Sequence, residues 1–569
     1  MIESEPREVS EPAPVGQGSI GAGSGSSRSL LKRIAIYTPG SLVPAALTLL
    51  TSIIFTRIFS PVAFGKYSLF LVYAAPIELL FTAWLIQSIG KFLPPEQTPE
   101  GRRKVKEAIF LSTALIFFGE IVLGAGLFVA GNFLLAPGWR SFLLPTFLFV
   151  IFSSLFDVLA IVFPAESRAK EYTAYKLFDS VATFGLRLLL VSGLFSMDIR
   201  LMFWSVVFSR LVLVPVMWVR GGISRPHRVV PVLRSGQIRG AAIAFLSFGL
   251  PMTIFFISSV LLDVGDRYVL NFLSGPGPVG IYDANYRLIA GVVILMVAPI
   301  TITLHPYLMG IAGSGDSERI NQVIGNVIEN LLLLGALTVG LTFLLHKELA
   351  RVLLGHEFRP GSIVMPAVVA GVFFFNIGTF AHKPFEIVGR TRVMLVFGVI
   401  AAVANIGFCF ALIPPLGIVG AAYATLFSYL LYTVCVGYLG RRLYRWHLNL
   451  RRIVIHGGII GACVAAIYFV RDAMSGLSYG WSLAVTLVAS CVLASVSLLV
   501  LLRGMLTSNW LSGDAGPHSP ARSFSRDFFR RRAPGRHRSD RVPFADPAVI
   551  RAVVARSAIS GRHRPRGWS

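Results

Sequence analysis

The sequence predicts an all-α protein that crosses a membrane many times, with about 14 transmembrane helices. Three observations lead to this prediction. Residues of the set AVILMFWYC make up 54% of the 569-residue chain, and charged residues make up only 14%, against about 25% charged residues in an average soluble domain. Apolar stretches long enough to cross about 30 Å of hydrocarbon recur from residue 34 onward. Lys and Arg outnumber Asp and Glu by 52 to 28, and the surplus lies on alternate connecting segments.

The apolar stretches form two groups of six and a final pair. They lie at about 34–56, 67–92, 107–131, 141–163, 177–196 and 201–219, then 241–263, 281–308, 327–346, 363–389, 393–412 and 417–438, and finally 452–470 and 480–502. This grouping predicts an N-terminal lobe over 34–219, a C-terminal lobe over 241–438 and two extra helices over 452–502. The connections average roughly 11 residues, which leaves no room for a soluble catalytic domain.

The positive charges predict the orientation of the chain. Without the C-terminal tail, the segments on the side of the N-terminus carry 26 Lys and Arg, and those on the other side carry 9. The positive-inside rule therefore places both termini in the cytoplasm. Residues 1–33 and 503–569 are expected to be disordered tails, because Gly, Ser, Pro and Arg dominate them.

The basic C-terminal tail has two possible partners. Its arginines are expected to bind anionic headgroups of the inner leaflet, or an acidic partner such as a polysaccharide-assembly protein. Nucleic acid is not expected to bind, because no fold-forming pattern accompanies the charge.

A short pattern occurs once in each predicted lobe. SPVAFGKY (60–67) follows the first apolar stretch and GPGPVGIY (275–282) follows the seventh. Three residues recur at a constant offset of 215: Pro61 and Pro276, Gly65 and Gly280, and Tyr67 and Tyr282. A unit of six spans that repeats in parallel is typical of some transporters. The pattern therefore predicts two related halves.

Four segments, in chain order, carry a family likeness. They are TRIFSPVAFGKYSLF (56–70), DRYVLNFLSGPGPVGIYDANYRL (266–288), LLGHEFRPGSIVMPAV (353–368) and IPPLGIVGAAYATLFSY (413–429). Together they resemble the Wzx-like polysaccharide flippases of the multidrug/oligosaccharidyl-lipid/polysaccharide (MOP) exporter superfamily. The chain departs from that pattern in its long basic tail and in Gly-Pro-Gly-Pro at 275–278.

The resemblance implies a fold, a cargo and a mode of transport. The fold would be two six-helix lobes around a central cavity, working by alternating access as the lobes rock. The cargo would be an undecaprenyl-diphosphate-linked oligosaccharide (a repeat unit of exopolysaccharide, O-antigen or capsule), moved from the cytoplasmic to the outer leaflet. An ion gradient would drive transport, and neither an enzymatic activity nor a cofactor is implied.

Three arginines inside predicted spans are the candidates for binding an anionic substrate: Arg187, Arg210 and Arg287. A charge within a span is expensive and usually faces a wet cavity or a partner, and the arginine fork suits phosphate oxygens. The alternative is structural: Arg187 and Arg210 would pair with Glu78 and Glu120 and hold the N-terminal lobe together.

Four further charged residues complete the predicted site. Glu78 and Glu120 are candidates for exchanging a proton or sodium ion as access alternates, with a static salt bridge as the alternative. Arg57 and Arg267 lie at the predicted outer ends of spans 1 and 7. They could contact substrate at an outer gate, or anchor the helices at the membrane interface.

The cysteines indicate neither a disulfide framework nor a metal site. All four lie inside long apolar stretches and none forms a CxxC pair, so we expect small core residues. No metal ligands and no cofactor are expected.

Three other functions compete with the flippase. A lipid II flippase of the same superfamily would also need cavity arginines. A drug/cation antiporter of that superfamily is less favoured, because the chain has fourteen predicted spans and buried arginines. A membrane polysaccharide polymerase or ligase would need a large external loop, whereas the longest predicted here, 264–280 and 347–362, have about 16 to 17 residues.

Overall fold

A computed structural model describes residues 27–95, 98–191, 198–223, 236–474 and 479–507. These residues form fourteen long helices and no β-strand. The helices are α1 (Ser27–Phe55), α2 (Pro61–Phe92), α3 (Pro99–Leu134), α4 (Leu143–Ala165), α5 (Ala169–Leu189), α6 (Leu201–Gly221), α7 (Gly236–Ser274), α8 (Pro276–Ser314), α9 (Ser317–Leu353), α10 (Met365–Ala381), α11 (Thr391–Leu416), α12 (Ile418–Leu443), α13 (Leu450–Ala473) and α14 (Tyr479–Thr507). Short helical turns cover Pro137–Arg140, His356–Val364 and Lys383–Ile387.

The predicted all-α, multi-pass membrane fold is confirmed. Eleven helical segments of the described chain are long and apolar enough to cross a membrane, and Pro39–Phe55 and Leu483–Ser497 are shorter apolar helices. Helix α5 is not among them, because its first half is charged. The predicted tails lie mostly outside the described residues, but α1 begins at Ser27, seven residues before the predicted first span.

Proline and a capping residue begin several helices. Pro61 starts α2, where the Ser60 side chain accepts a hydrogen bond from the Ala63 amide. Proline suits this position because its missing N–H would have no partner in the first turn. Helices α7 and α8 are separated only by Gly275, whose φ of 79° favours glycine. The predicted external loop 264–280 is therefore wrong: charged residues lower the hydropathy there, but the helix continues.

The helices pack as two groups of six. Helices α1–α6, the N-lobe, contact one another mainly through the pairs α4–α6, α1–α5 and α2–α4, and helices α7–α12, the C-lobe, through α11–α12, α10–α12 and α7–α11. The lobes meet where α2 packs on α7 and α8, and where α1 packs on α8. The last two helices lie against α9, which Glu329–Arg452 (2.8 Å) and Glu348–Arg471 (2.5 Å) join to α13.

The two copies of the sequence repeat contact each other across the lobe boundary. A side chain added at Gly65 would overlap the carbonyl oxygen of Pro276, and one added at Gly280 would overlap that of Pro61. The contact is reciprocal, as expected of two halves related by a pseudo-twofold axis. We call the face that carries this contact the outer face, following the charge-based orientation, and the opposite face the inner face.

Candidate functional site

A cavity of about 610 Å³ lies between the lobes, on the inner side of the repeat contact. We call it the central cavity. Helix α1 contributes Ala45, Thr48 and Leu49, and the remaining lining comes from α7, α8, α10 and α12 of the C-lobe. The charged residues of its wall are Asp263, Arg267, Asp283 and Arg287.

Five charged side chains form a network at the wall of this cavity, which we call the C-lobe ion network: Asp263, Asp266, Arg267, Asp283 and Arg287. Residues three and four apart share a helix face, so α7 presents the first three and α8 the last two. Arg267 pairs with Asp266 (2.8 Å) and with Asp283 (3.2 Å). Arg287 pairs with the other oxygen of Asp283.

Hydroxyl groups complete the hydrogen bonding of the α7 acids. Asp266 accepts from the hydroxyls of Tyr282 (2.5 Å) and Thr425 (2.8 Å). Asp263 accepts from Tyr286 (2.9 Å) and Tyr429 (3.0 Å). These donors come from α8 and α12, so the network joins three helices of the C-lobe.

Exposure divides the network into a fixed part and an accessible part. The Asp266, Arg267 and Asp283 side chains are each 3% exposed or less. The Arg287 side chain is 30% exposed, and Asp263 is exposed as well. Within the described residues, the only hydrogen bond of the Arg287 guanidinium runs from Nε to Asp283. Its two Nη groups are therefore available to a ligand in the central cavity.

Arg267, predicted either to contact substrate at an outer gate or to anchor its helix at the interface, lies at the wall of the central cavity. Helix α7 continues for seven residues beyond it, so it lies inside the helix and not at its end. Its guanidinium lies 4.0 Å from the Tyr286 ring centroid and 5.3 Å from that of Tyr282. Such stacking suits arginine in a dry site, and the ion pairs with Asp266 and Asp283 compensate the buried charge.

Arg57 instead bridges the lobes at the outer face. Its guanidinium donates to the Val352 carbonyl oxygen at the end of α9 (2.5 Å). Next to it, the Gly355 amide donates to the Thr56 hydroxyl (3.3 Å). These contacts supplement the repeat contact in closing the outer face.

The N-lobe holds a separate set of charges, which we call the N-lobe charge cluster: Glu78, Asp157, Lys176, Asp179 and Arg210. Arg210 pairs with Asp179 (3.3 Å) and also donates to the hydroxyl of Ser153. Lys176 pairs with Asp157 (2.9 Å). Helices α2, α4, α5 and α6 supply these residues, and none of them lines the central cavity.

The predicted acid candidates belong to this region. Glu78 lies beside Asp157, and Glu120 accepts a hydrogen bond from the Ser154 hydroxyl (2.5 Å). Among the described residues the other oxygen of Glu120 has no hydrogen-bond partner, and Glu120 borders an apolar cavity of about 450 Å³ between α2, α3 and α4. Within the described part of the chain no ion pair joins Arg187 or Arg210 to Glu78 or Glu120; Arg210 pairs with Asp179 instead.

Arg187 forms no ion pair among the described residues. Its Nε donates to the Ser205 hydroxyl (3.2 Å), and it is not part of the central-cavity wall. Of the three intramembrane arginines, only Arg287 lines that cavity.

The cysteines agree with the sequence-based expectation only in part. All four cysteines are free thiols, but only Cys409 is buried and Cys491 is exposed. The described residues hold no cluster of three or more His, Cys, Asp or Glu that could bind a metal ion.

Sequence reasoning missed Asp283 and the hydroxyls around Asp263 and Asp266. Asp283 and Arg287 are four residues apart within an apolar helix, and an (i, i+4) acid–base pair on one face was the available signal. The hydroxyl groups had no such signal, because they come from α8 and α12.

Three solved structures share this arrangement of helices. The chain superimposes on a lipid II flippase MurJ in an inward closed conformation with a TM-score of 0.65 and 12% identity, covering 82% of this chain and 100% of that one. Inward-facing and outward-facing structures of a multidrug resistance MATE family transporter of the MOP superfamily give TM-scores of 0.54 and 0.51. Their identities are 13% and 14%, and they cover 75% and 76% of this chain and 98% and 97% of theirs.

The chain has the fold of these transporters. No protein-family model and no curated protein sequence matches it. At 12–14% identity the likeness concerns the fold, and the substrate has to be argued from this chain's own residues.

Proposed function

We propose that this protein is a flippase for a lipid-linked oligosaccharide whose headgroup carries a diphosphate. The observation that carries the proposal is Arg287, whose Nη groups have no hydrogen-bond partner among the described residues and which lines a cavity of about 610 Å³ between α1 and the C-lobe. Arginine binds phosphate oxygens with two parallel hydrogen bonds. A charge held at this depth in a membrane protein usually serves a substrate pathway.

The other cavity groups suit the sugar part of such a headgroup. The exposed Asp263 carboxylate and the Asn376 amide line the same cavity as Arg287. Carboxylates and amides bind hydroxyl-rich ligands through hydrogen bonds, while Phe256 and Phe375 supply apolar surface. Diphosphate and sugar can therefore be held together in one cavity.

Alternating access follows from the way the lobes meet. The repeat contact and the bridge from Arg57 to Val352 close the outer face. Opening this face would require both contacts to separate, and a rocking motion about the long α2–α7 contact would do so. In this proposal the membrane is the bacterial cytoplasmic membrane, both termini are cytoplasmic, and the basic tail beyond residue 507 binds anionic lipid.

The N-lobe charge cluster would couple transport to an ion gradient. Glu78 and Asp157 are neighbouring carboxyl groups, and two carboxyl groups that share a site favour a state in which one of them holds a proton. Loss of that proton would leave two adjacent negative charges in a low-dielectric region, which favours a change of structure or the uptake of a cation. We therefore assign the coupling site to Glu78, with Glu120 next to it.

The same cavity chemistry would also suit lipid II, another diphosphate-linked glycolipid, and the fold is shared with a lipid II flippase. The two cargoes differ in the effect of losing the protein. Failure to translocate a peptidoglycan precursor would be lethal, whereas failure to translocate a surface-glycan repeat unit would leave viable cells that lack the glycan.

Deletion of the encoding gene tests the proposed function. We expect viable cells that accumulate a diphosphate-linked oligosaccharide on the cytoplasmic leaflet and lose a surface glycan, both restored by the wild-type chain. A lethal deletion would transfer the proposal to lipid II. Unchanged lipid intermediates and unchanged surface glycan would contradict it, and loss of drug efflux alone would favour a drug/cation antiporter.

A further inference from the structure

The C-lobe ion network poses a problem for anion binding. It contains three carboxylates and two guanidinium groups, so its formal charge is negative. Arg287, the more exposed of the two arginines that line the central cavity, is already paired with Asp283. An incoming phosphate can reach the two Nη groups of Arg287, but it then shares one guanidinium with a carboxylate that belongs to the protein, and the two anions repel each other.

The geometry of Asp283 shows how this competition can proceed without leaving a buried charge unpaired. Each of its oxygens has its own cation: Oδ1 pairs with Arg267 and Oδ2 with Arg287. Arg267 is 3% exposed and fixed by Asp266 and two tyrosine rings. If Arg287 leaves, Asp283 keeps Arg267, so the usual penalty of an uncompensated buried carboxylate is avoided.

Arg287 has the freedom that the exchange requires. Its side chain is 30% exposed, against 1% for Asp283 and 3% for Arg267. Among the described residues only its Nε has a hydrogen-bond partner. A rotation of the side chain would exchange the single bond to Asp283 for a two-pronged contact with phosphate.

We propose that the Asp283 carboxylate competes with the substrate's phosphate for Arg287. The phosphate displaces Asp283 from Arg287 when the substrate binds, and Asp283 pairs with Arg287 again when the substrate leaves. Asp283 is a positioning residue: it limits affinity for the diphosphate and speeds its release. This inference rests on the proposed function and extends it to the control of binding and release at the same site.

The test is the binding of a fluorescent geranylgeranyl diphosphate to the full-length protein in lipid nanodiscs. We expect Asp283→Asn to bind the probe about tenfold more tightly than wild type, because a competing charged hydrogen bond is removed. Glu348→Gln is the matched control, since Glu348 is a buried carboxylate that pairs with Arg471 and is not part of the central-cavity wall. It should change the affinity by less than about threefold. In the Asp283→Asn/Arg287→Gln double variant the gain should disappear.

A transport measurement separates competition from a structural role. In vesicles that report flipping, Asp283→Asn should reach half-maximal rate at a lower substrate concentration but with a lower maximal rate, since release is slowed. A residue that only supports the fold would lower the maximal rate without tightening binding. Asp283→Glu, which retains the carboxylate, should restore values within about threefold of wild type.

The outcomes distinguish this inference from the proposed function. Unchanged or weaker probe binding by Asp283→Asn, together with loss of binding by Arg287→Gln, would overturn the exchange and leave the proposed site intact. Equal binding by wild type and Arg287→Gln would overturn the site itself. If the Asp283→Asn protein does not accumulate in cells, the Asp283→Glu variant provides the test. Should Asp283→Glu lose as much probe binding as Arg287→Gln, Asp283 would not be a competitor of the ligand.

Discussion

Helices α2 and α8 occupy equivalent places in the two lobes, yet only α8 contributes charged side chains to the wall of the central cavity. Both begin with proline, and Gly65 and Gly280 pack reciprocally against the opposite helix. At the same offset of 215 residues, Asp283 of α8 corresponds to Ser68 of α2. The position of Arg287 corresponds to that of Val72.

The comparison separates the closing contact from the binding site. Closure depends on close backbone approach, which the repeat supplies equally to both lobes. The candidate site depends on charge, which α7 and α8 of the C-lobe supply outside the repeat itself. Duplication therefore accounts for the symmetric contact, whereas the ion network is specific to α7 and α8.

Replacement of Arg287 should have the largest effect. Arg287→Gln keeps the size of the side chain near its original but removes the charge and the forked donors, and we expect surface glycan to fall below about a tenth of wild type. The measurement is complementation of the deletion strain at matched protein levels.

Arg187→Gln is the matched control for that experiment. Arg187 is also an intramembrane arginine, but it donates to Ser205 and is not part of the central-cavity wall. It should retain more than about half of the activity. Equal losses of activity in the two variants would mean that a place in the central-cavity wall does not determine which of these arginines is required.

Substitution of the repeat glycines should have the next largest effect, and the same effect in both lobes. Valine at Gly65 or Gly280 would overlap the opposite backbone, and overpacking of this kind costs about 1–3 kcal/mol. Each variant should hold the outer face open and expose the central cavity. In a cysteine-free background, Ser259→Cys reports this as faster labelling by a membrane-impermeant maleimide added from outside.

Gly90→Val controls for the added volume, because nothing lies within 4 Å of a side chain at Gly90. It should leave labelling unchanged. A large effect from Gly65→Val with none from Gly280→Val would contradict the symmetry of the contact.

Glu78→Gln should alter the coupling of transport to an ion gradient more than it alters the ability to flip substrate. The amide can still hydrogen-bond to Asp157 but cannot exchange a proton. We therefore expect the variant to flip substrate down its own gradient while losing the response to an imposed pH gradient. Transport that follows the imposed gradient as in wild type would exclude Glu78 from coupling. Glu100→Gln, at an exposed surface pair with Lys104, is the control.

Ser68→Ala should have the smallest effect. The buried Ser68 hydroxyl has no hydrogen bond among the described residues, and the neighbouring Asp283 carboxylate keeps both of its arginines when the hydroxyl is removed. Flipping should stay within about twofold of wild type. A defect as severe as that of Asp283→Asn would show that the N-lobe half of the repeat takes part in the site.

The sequence was sufficient to predict where the helices lie, but not where α7 ends. Apolar stretches of the required length locate the spans, because a membrane allows few alternatives to a helix. The sequence predicts a loop at the end of α7, because the local hydropathy is lowered by Asp263, Asp266 and Arg267. Ion pairing with α8 is a tertiary feature and keeps this segment helical within the lobe.

The site could be predicted only where a single residue carries the signal. Arg287 stands out in the sequence as a charge inside an apolar span, and it does line the central cavity. Arg187 and Arg210 give the same signal but lie elsewhere. Which charges share a cavity depends on how six helices pack, and no pattern within one helix contains that information.

Direct reconstitution tests the central claim. Purified protein in vesicles would be supplied with a fluorescent polyprenyl-diphosphate-linked sugar, and the fraction protected from an external quencher would be followed with time. We predict that wild type moves the label between leaflets at least about tenfold faster than Arg287→Gln. Equal rates for the two proteins would contradict the assignment of Arg287 as the group that binds the diphosphate.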